Sequence, residues 1–95
     1  MATHFLIDGM LSGTGVRDGI SGGYVEPGLI GISPSLVRDI SAWQQRYEGC
    51  HFEGFPAELV SELDTEGMVL AVRAGAERPD LSIGYFSNGL MKRMA

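Results

Sequence analysis

Apolar and polar positions follow two different periods along this chain, and they divide it into five segments. Residues Thr3–Asp8, "THFLID", alternate in the manner of a strand. Phe5 and Ile7 point one way and Leu6 the other, so both faces of the strand are expected to be partly covered. A glycine-rich irregular stretch occupies residues 9–31, with a second, very short strand candidate at Gly23–Glu26 ended by the turn pair Pro27-Gly28.

The spacing then becomes helical. Leu36, Ile40, Trp43 and Tyr47 form one apolar stripe, which predicts a helix over Pro34–Glu48. Ser33 suits the N-cap, because its hydroxyl can accept from a free amide of the first turn. Pro34 suits the first helical position, where no amide donor is needed. Ile32 and Val37 have hydrophobic-staple spacing, and Gly49 can take the left-handed conformation that closes a helix. A second helix is expected over Pro56–Glu77, where Pro79 blocks continuation. Its stripe is Val60, Leu63, Gly67, Leu70 and Ala74. Gly67 costs about 1 kcal/mol against alanine. Close contact with the first helix can offset that cost; the alternative is a break there, with Asp64 capping a second piece.

The short connection between the helices predicts an antiparallel pair. "LSIGYF" at Leu81–Phe86 alternates as a closing strand, and residues 87–95 are expected to be a flexible tail. Together these elements predict one α+β domain over residues 1–95. Its two layers are a sheet of about three strands and a helix pair on one face.

Composition narrows the function. The 95 residues are 44% hydrophobic and 20% charged, as in an ordinary folded domain, with a net charge of −5. That charge repels phosphate backbones and anionic lipid, and the seven basic residues form no stripe, so neither nucleic acid nor a membrane is expected as a partner. Cys50 is the single cysteine, which excludes an intramolecular disulfide and suits a reducing cytoplasm. The start of the chain has no basic region and too short an apolar run for a signal peptide. The expectation is a soluble, cytoplasmic protein.

Three features invite chemistry. Gly13, Gly15 and Gly19 have a spacing like that of dinucleotide loops, but a phosphate site needs a helix opening directly after them. Gly22, Gly23 and Pro27 follow instead, so an irregular turn is the better reading. On that reading Arg17 and Asp18 sit on an exposed tip where they can meet a partner. Cys50-His51 has neither a second cysteine nor a His-x-x-His spacing, so no metal, nucleophile or other cofactor site is read there. Ser12, Ser21, Ser33 and Ser35 lie in no nucleophile elbow.

The third feature is an acid-only run. Glu48, Glu53, Glu58, Glu62, Asp64 and Glu66 lie between Tyr47 and Val72 with no lysine or arginine among them. Acids near a helix start complement its dipole and hydrate its outer face. Glu58, Glu62 and Glu66 nevertheless recur every four residues, and such like-charge pairs weaken a helix slightly. A basic partner would explain them.

Ser33, Pro34, Leu36, Trp43, Tyr47, Asp64, Glu66, Gly67, Tyr85 and Phe86 carry a resemblance to a loose group of small bacterial proteins. The pattern is Ser-Pro-x-Leu, then Trp and Tyr on one helix, then Asp-x-Glu-Gly, then a strand closing in Tyr-Phe. Some members of that group resemble immunity proteins of bacterial toxin systems. The resemblance bears on the fold; small size, acidity, the lack of a catalytic constellation and the acid-only run on the second helix predict a non-enzymatic protein-binding module, with an immunity-like inhibitor as its most concrete form. Glu53, Glu58, Glu62 and Glu66, with Arg17 and Asp18, are its expected contacts, and a basic toxin or nuclease its partner. Two alternatives stand beside it: a phosphate-ligand or enzymatic module built on Gly13, Gly15 and Gly19, and a homodimeric structural or regulatory domain.

Overall fold

The computed structural model describes residues 3–94. Its elements run β1 (His4–Asp8), β2 (Val16–Asp18), a single 3-10 turn (Pro27–Ile30), α1 (Pro34–Phe52), α2 (Ala57–Glu77), β3 (Ser82–Ser87) and β4 (Lys92–Arg93). The domain is α+β in two layers, and its sheet has four strands where about three were expected.

The sheet order is β2-β1-β3-β4. The central pair, β1 and β3, is parallel, with Phe5 opposite Ile83 and Ile7 opposite Tyr85. Parallel neighbours need a long crossover, and the two helices supply it. Phe5, Ile7, Val16 and Tyr85 turn toward the helices and join Leu36, Ile40, Trp43, Tyr47, Leu63 and Leu70 in one core. Alternation puts Leu6 and Arg17 on the opposite face.

The helices are antiparallel, because their cross-contacts run in opposite directions along the chain. Asp39 pairs with Arg73, Arg46 with Glu66, and the Tyr47 hydroxyl donates to Asp64. At the far end Glu77, the last residue of α2, receives the Ser33 amide and hydroxyl at the start of α1. Ser33 is the N-cap as expected, its Oγ 3.4 Å from the Leu36 amide.

Three elements differ from the sequence expectation by more than a residue. Helix α1 runs past Gly49, because Cys50 extends the buried stripe by one turn. Gly54, at φ 75°, supplies the left-handed residue instead, and Phe55 beside it is also left-handed at φ 56°. The second strand is Val16–Asp18 rather than Gly23–Glu26; from the latter only Tyr24 forms a bridge, to Arg17. From Ser87 onward the chain departs from the expected tail: Ser87 and Asn88 are buried, and Lys92–Arg93 pairs with β3.

Helix α2 is continuous through Gly67. A Cβ there would lie 2.1 Å from Tyr85 Cε1 and 2.9 Å from Trp43 Cζ2, so this glycine lets the aromatic core reach the helix backbone. The glycine-rich loop is held against the same layer. Gly15, at φ 94°, sits where a Cβ would meet Ile40, and Gln44 Nε2–H donates to the Met10 carbonyl.

Candidate functional site

Helix α2 presents different chemistry around its circumference. Its inner face carries Val60, Leu63, Gly67, Leu70 and Ala74, and also Asp64, which is only 2% exposed. The Asp64 carboxylate accepts three hydroxyls. Tyr47 lies 2.7 Å and Tyr85 2.5 Å from Oδ1, and Ser87 lies 2.7 Å from Oδ2. Burial, with this carboxylate, raises both phenols above their ordinary value, Tyr85 the more strongly. The network ties α1, α2 and β3 together at the C-terminal end of the parallel strands.

A second buried carboxylate lies at the end of β1. Asp8 Oδ1 accepts the Met10 amide and Asn88 Nδ2, and Oδ2 lies 3.0 Å from Arg17 Nε. The Arg17 guanidinium also covers the Phe86 ring at 4.8 Å. Arg17 is therefore a strand residue engaged with Asp8 and Phe86, and the exposed tip expected for it is corrected. Asp18 closes β2. Its Oδ1 accepts the Ile20 and Ser21 amides, which hold its carboxyl below the ordinary range. The structure separates these two residues from the glutamates of α2: they lie on an edge strand, and the glutamates lie on the helix layer.

The glutamates themselves divide in two. Glu66 meets Arg46 of α1 at 2.8 Å, a pairing hidden in the sequence because Arg46 lies just outside the acid-only run. Glu53 closes α1, and Glu58 opens α2 one turn before Glu62; all three are exposed. Among the described residues, Glu53 and Glu58 have no ion pair within 4 Å, and Glu62 has one only at 3.8 Å, to Arg46. Farther along the outer side of α2, Val69 and Val72 are 55% and 73% exposed.

Several clefts border this layer. One of about 360 Å³ lies between the helices and is lined by the pairs Arg46–Glu66 and Arg73–Asp39. Another, of about 410 Å³, separates the first half of α2 from the β3–β4 hairpin. A third, of about 670 Å³, lies beside the 3-10 turn with Phe5, Tyr24, Leu29 and Arg78 on its walls. Arg78 is tethered there to Asp80 and to the Ile30 carbonyl.

The other chemical candidates have structural roles. The amides of Gly13 and Gly19 bond to the Met10 and His4 carbonyls, and no helix opens before the 3-10 turn at Pro27. Cys50 is fully buried, and that burial pushes its thiol up, away from the reactive thiolate. His51 donates from Nε2 to the Gly9 carbonyl and packs edge-on against Phe55. Among the described residues no group of three His, Cys, Asp or Glu side chains could hold a metal ion, and no helix is long and apolar enough to cross a membrane.

Sequence reasoning placed Asp64 in the solvated acidic run and passed over Asp8. A signal for Asp64 was present, because it lies four residues after Val60 and three before Gly67, on the buried stripe. No family model, curated protein or solved structure matches this chain.

Proposed function

We propose that this protein is a non-enzymatic binding domain that docks a basic protein surface on the outer face of the helix pair. The observation that carries this reading is the placement of Glu53, Glu58 and Glu62. They are exposed together around the α1–α2 junction, Glu53 and Glu58 without an ion pair among the described residues and Glu62 with only the 3.8 Å contact to Arg46, and exposed valines follow on α2. The glutamates steer a cationic partner, and the apolar ridge gives the contact a dry centre. The most concrete form is an immunity-type inhibitor that occludes the basic groove of a toxin or nuclease.

The test is parallel capture from the native host with wild-type protein and with Glu53, Glu58 and Glu62 all changed to lysine. Wild type is expected to retain basic proteins at low salt that the variant loses. The same proteins retained by both would refute the assignment.

A further inference from the structure

The cleft of about 670 Å³ beside the 3-10 turn lies at the opposite end of α2 from Glu58, and its size is that of a small-molecule site. One wall is the segment from Asp18 to Ile30; the other is the turn from α2 to β3, with Arg78 and Leu81. Phe5, only 3% exposed, is the buried part of the lining, and Leu29, 84% exposed, is its outer lip. Both walls are fixed. The Leu29, Gly31 and Ile32 amides donate back into the 3-10 turn, Thr14 Oγ1 donates to the Val25 carbonyl, and the Leu81 amide donates to the Arg78 carbonyl. Arg78 joins the walls by donating to the Ile30 carbonyl. The charged groups of the lining differ in what they leave free. Arg78 Nε and Nη2 donate to the two oxygens of Asp80 and Nη1 to Ile30, so this cation is occupied. Asp18 and Glu26 stand on the other wall. Asp18 is in register with Phe5 and so points to the same side of the sheet. Among the described residues, neither carboxylate has a cation within 4 Å.

We infer that this cleft binds a small organic cation, an ammonium or guanidinium group on an apolar body, with the charge on the Asp18–Glu26 wall and the body against Phe5, Leu29 and Leu81. The chemistry of the lining selects it. An anion would meet two carboxylates and a guanidinium already committed to Asp80. A neutral apolar ligand would take water from both carboxylates and give no bond in return. A cation gains charge-assisted bonds from them and buries its body on the apolar lining. The inference goes beyond the basic-partner reading and does not depend on it, because Glu53 and Glu58 lie at the other end of the helix pair.

The test titrates the full chain with phenethylamine, its neutral counterpart phenethyl alcohol and the anion hydrocinnamate, and follows the backbone amide resonances. Phenethylamine at millimolar concentration is expected to shift the amides of residues 18–30 and 78–81, and added salt to weaken it. The alcohol and the anion should bind about tenfold more weakly or worse. Asp18→Asn/Glu26→Gln should lose about tenfold in affinity for the amine with the rest of the spectrum unchanged, because asparagine still accepts the Ile20 and Ser21 amides. Leu29→Ser, at an exposed position, should weaken the amine and the alcohol alike. Equal binding of the three probes, or amine binding unchanged in the double variant, would overturn the proposal. Tighter binding of hydrocinnamate would make Arg78 the anchor and refute it. No shift with phenethylamine, or shifts confined to residues 53–66, would also refute it, the latter by placing the amine on the glutamates of α2. Loss of the captured basic proteins in Asp18→Asn/Glu26→Gln would assign this cleft to the protein partner instead of a small molecule.

Discussion

Tyr85 donates its phenolic proton to Asp64 across 2.5 Å, and Tyr47 reaches the same carboxylate oxygen from the neighbouring helix. One buried acid thus organises hydroxyls from α1 and β3, with Ser87 on its second oxygen. A buried carboxylate is costly without donors, and here three neutral hydroxyls meet the demand. Replacing Asp64 with alanine removes the acceptor of all three and leaves the Tyr85 hydroxyl buried without it, at a cost of about 3 kcal/mol. Tyr85→Phe removes one donor of three and should cost about 1–2 kcal/mol. Urea denaturation of the two variants measures both, and the alanine variant should be clearly the weaker.

The same network sets an alkaline limit. Tyr47 and Tyr85 are raised above the ordinary value of 10.0, and Tyr24 is pushed up to about 12, chiefly by burial. These phenols keep their protons in the fold after the unfolded chain has begun to lose them. Their stabilisation is therefore complete below about pH 10 and declines as pH rises above it. Ultraviolet titration should show little phenolate in the folded protein at pH 10.5, and phenolate absorbance should rise together with the loss of helix at higher pH.

At the acid end the sign reverses. Two hydrogen bonds from Ser33 hold the Glu77 carboxyl below its ordinary 4.5. This capping contribution is present above the unfolded value and is lost as pH falls through the folded one. Glu77→Gln should lower the melting temperature at pH 7, and the difference from wild type should shrink toward zero near pH 3. An equal difference at both pH values would show that the carboxylate charge is not the source.

How far these contacts could be read in advance depends on whether they are local. The Ser33–Pro34 cap, the stripe Leu36–Tyr47 and the β3 alternation arise from residues within a turn or two of one another, and the sequence pattern found them. The end of α1 was misplaced because a glycine tolerates the left-handed state without requiring it, and the burial of Cys50 outweighed the opportunity at Gly49. The Glu66–Arg46 and Asp8–Arg17 pairs join different elements, and no periodicity within one element reports them. The acidic stripe was therefore legible as composition, whereas the part of it that stays unpaired was visible only once α1 lay beside α2.

Gly67 separates helix propensity from packing. Alanine at an exposed helical site would gain about 1 kcal/mol over glycine. Here the added carbon would fall 2.1 Å from Tyr85 Cε1, and Tyr85 is itself held by Asp64. Overpacking of this kind costs about 1–3 kcal/mol and exceeds the propensity gain. Gly67→Ala should be destabilised in urea with α2 still helical by circular dichroism. A stabilised variant would mean that the ring moves freely.

The Arg17–Asp8 pair should behave as a structural contact rather than as a partner contact. Asp8 has a side chain 1% exposed, and Arg17 is its one cation within 4 Å among the described residues. Arg17→Ala leaves that carboxylate buried without a cation, held by neutral donors such as the Met10 amide and Asn88, and removes the cover over Phe86. Breaking such a pair from one side costs about 3 kcal/mol. Arg17→Ala/Asp8→Asn should recover part of the loss, because the orphaned charge is then gone. Thermal or urea unfolding of the two variants decides it. If Arg17→Ala leaves stability unchanged but loses the basic proteins that the wild type captures, Arg17 belongs to the interface and the separation of the two faces is wrong.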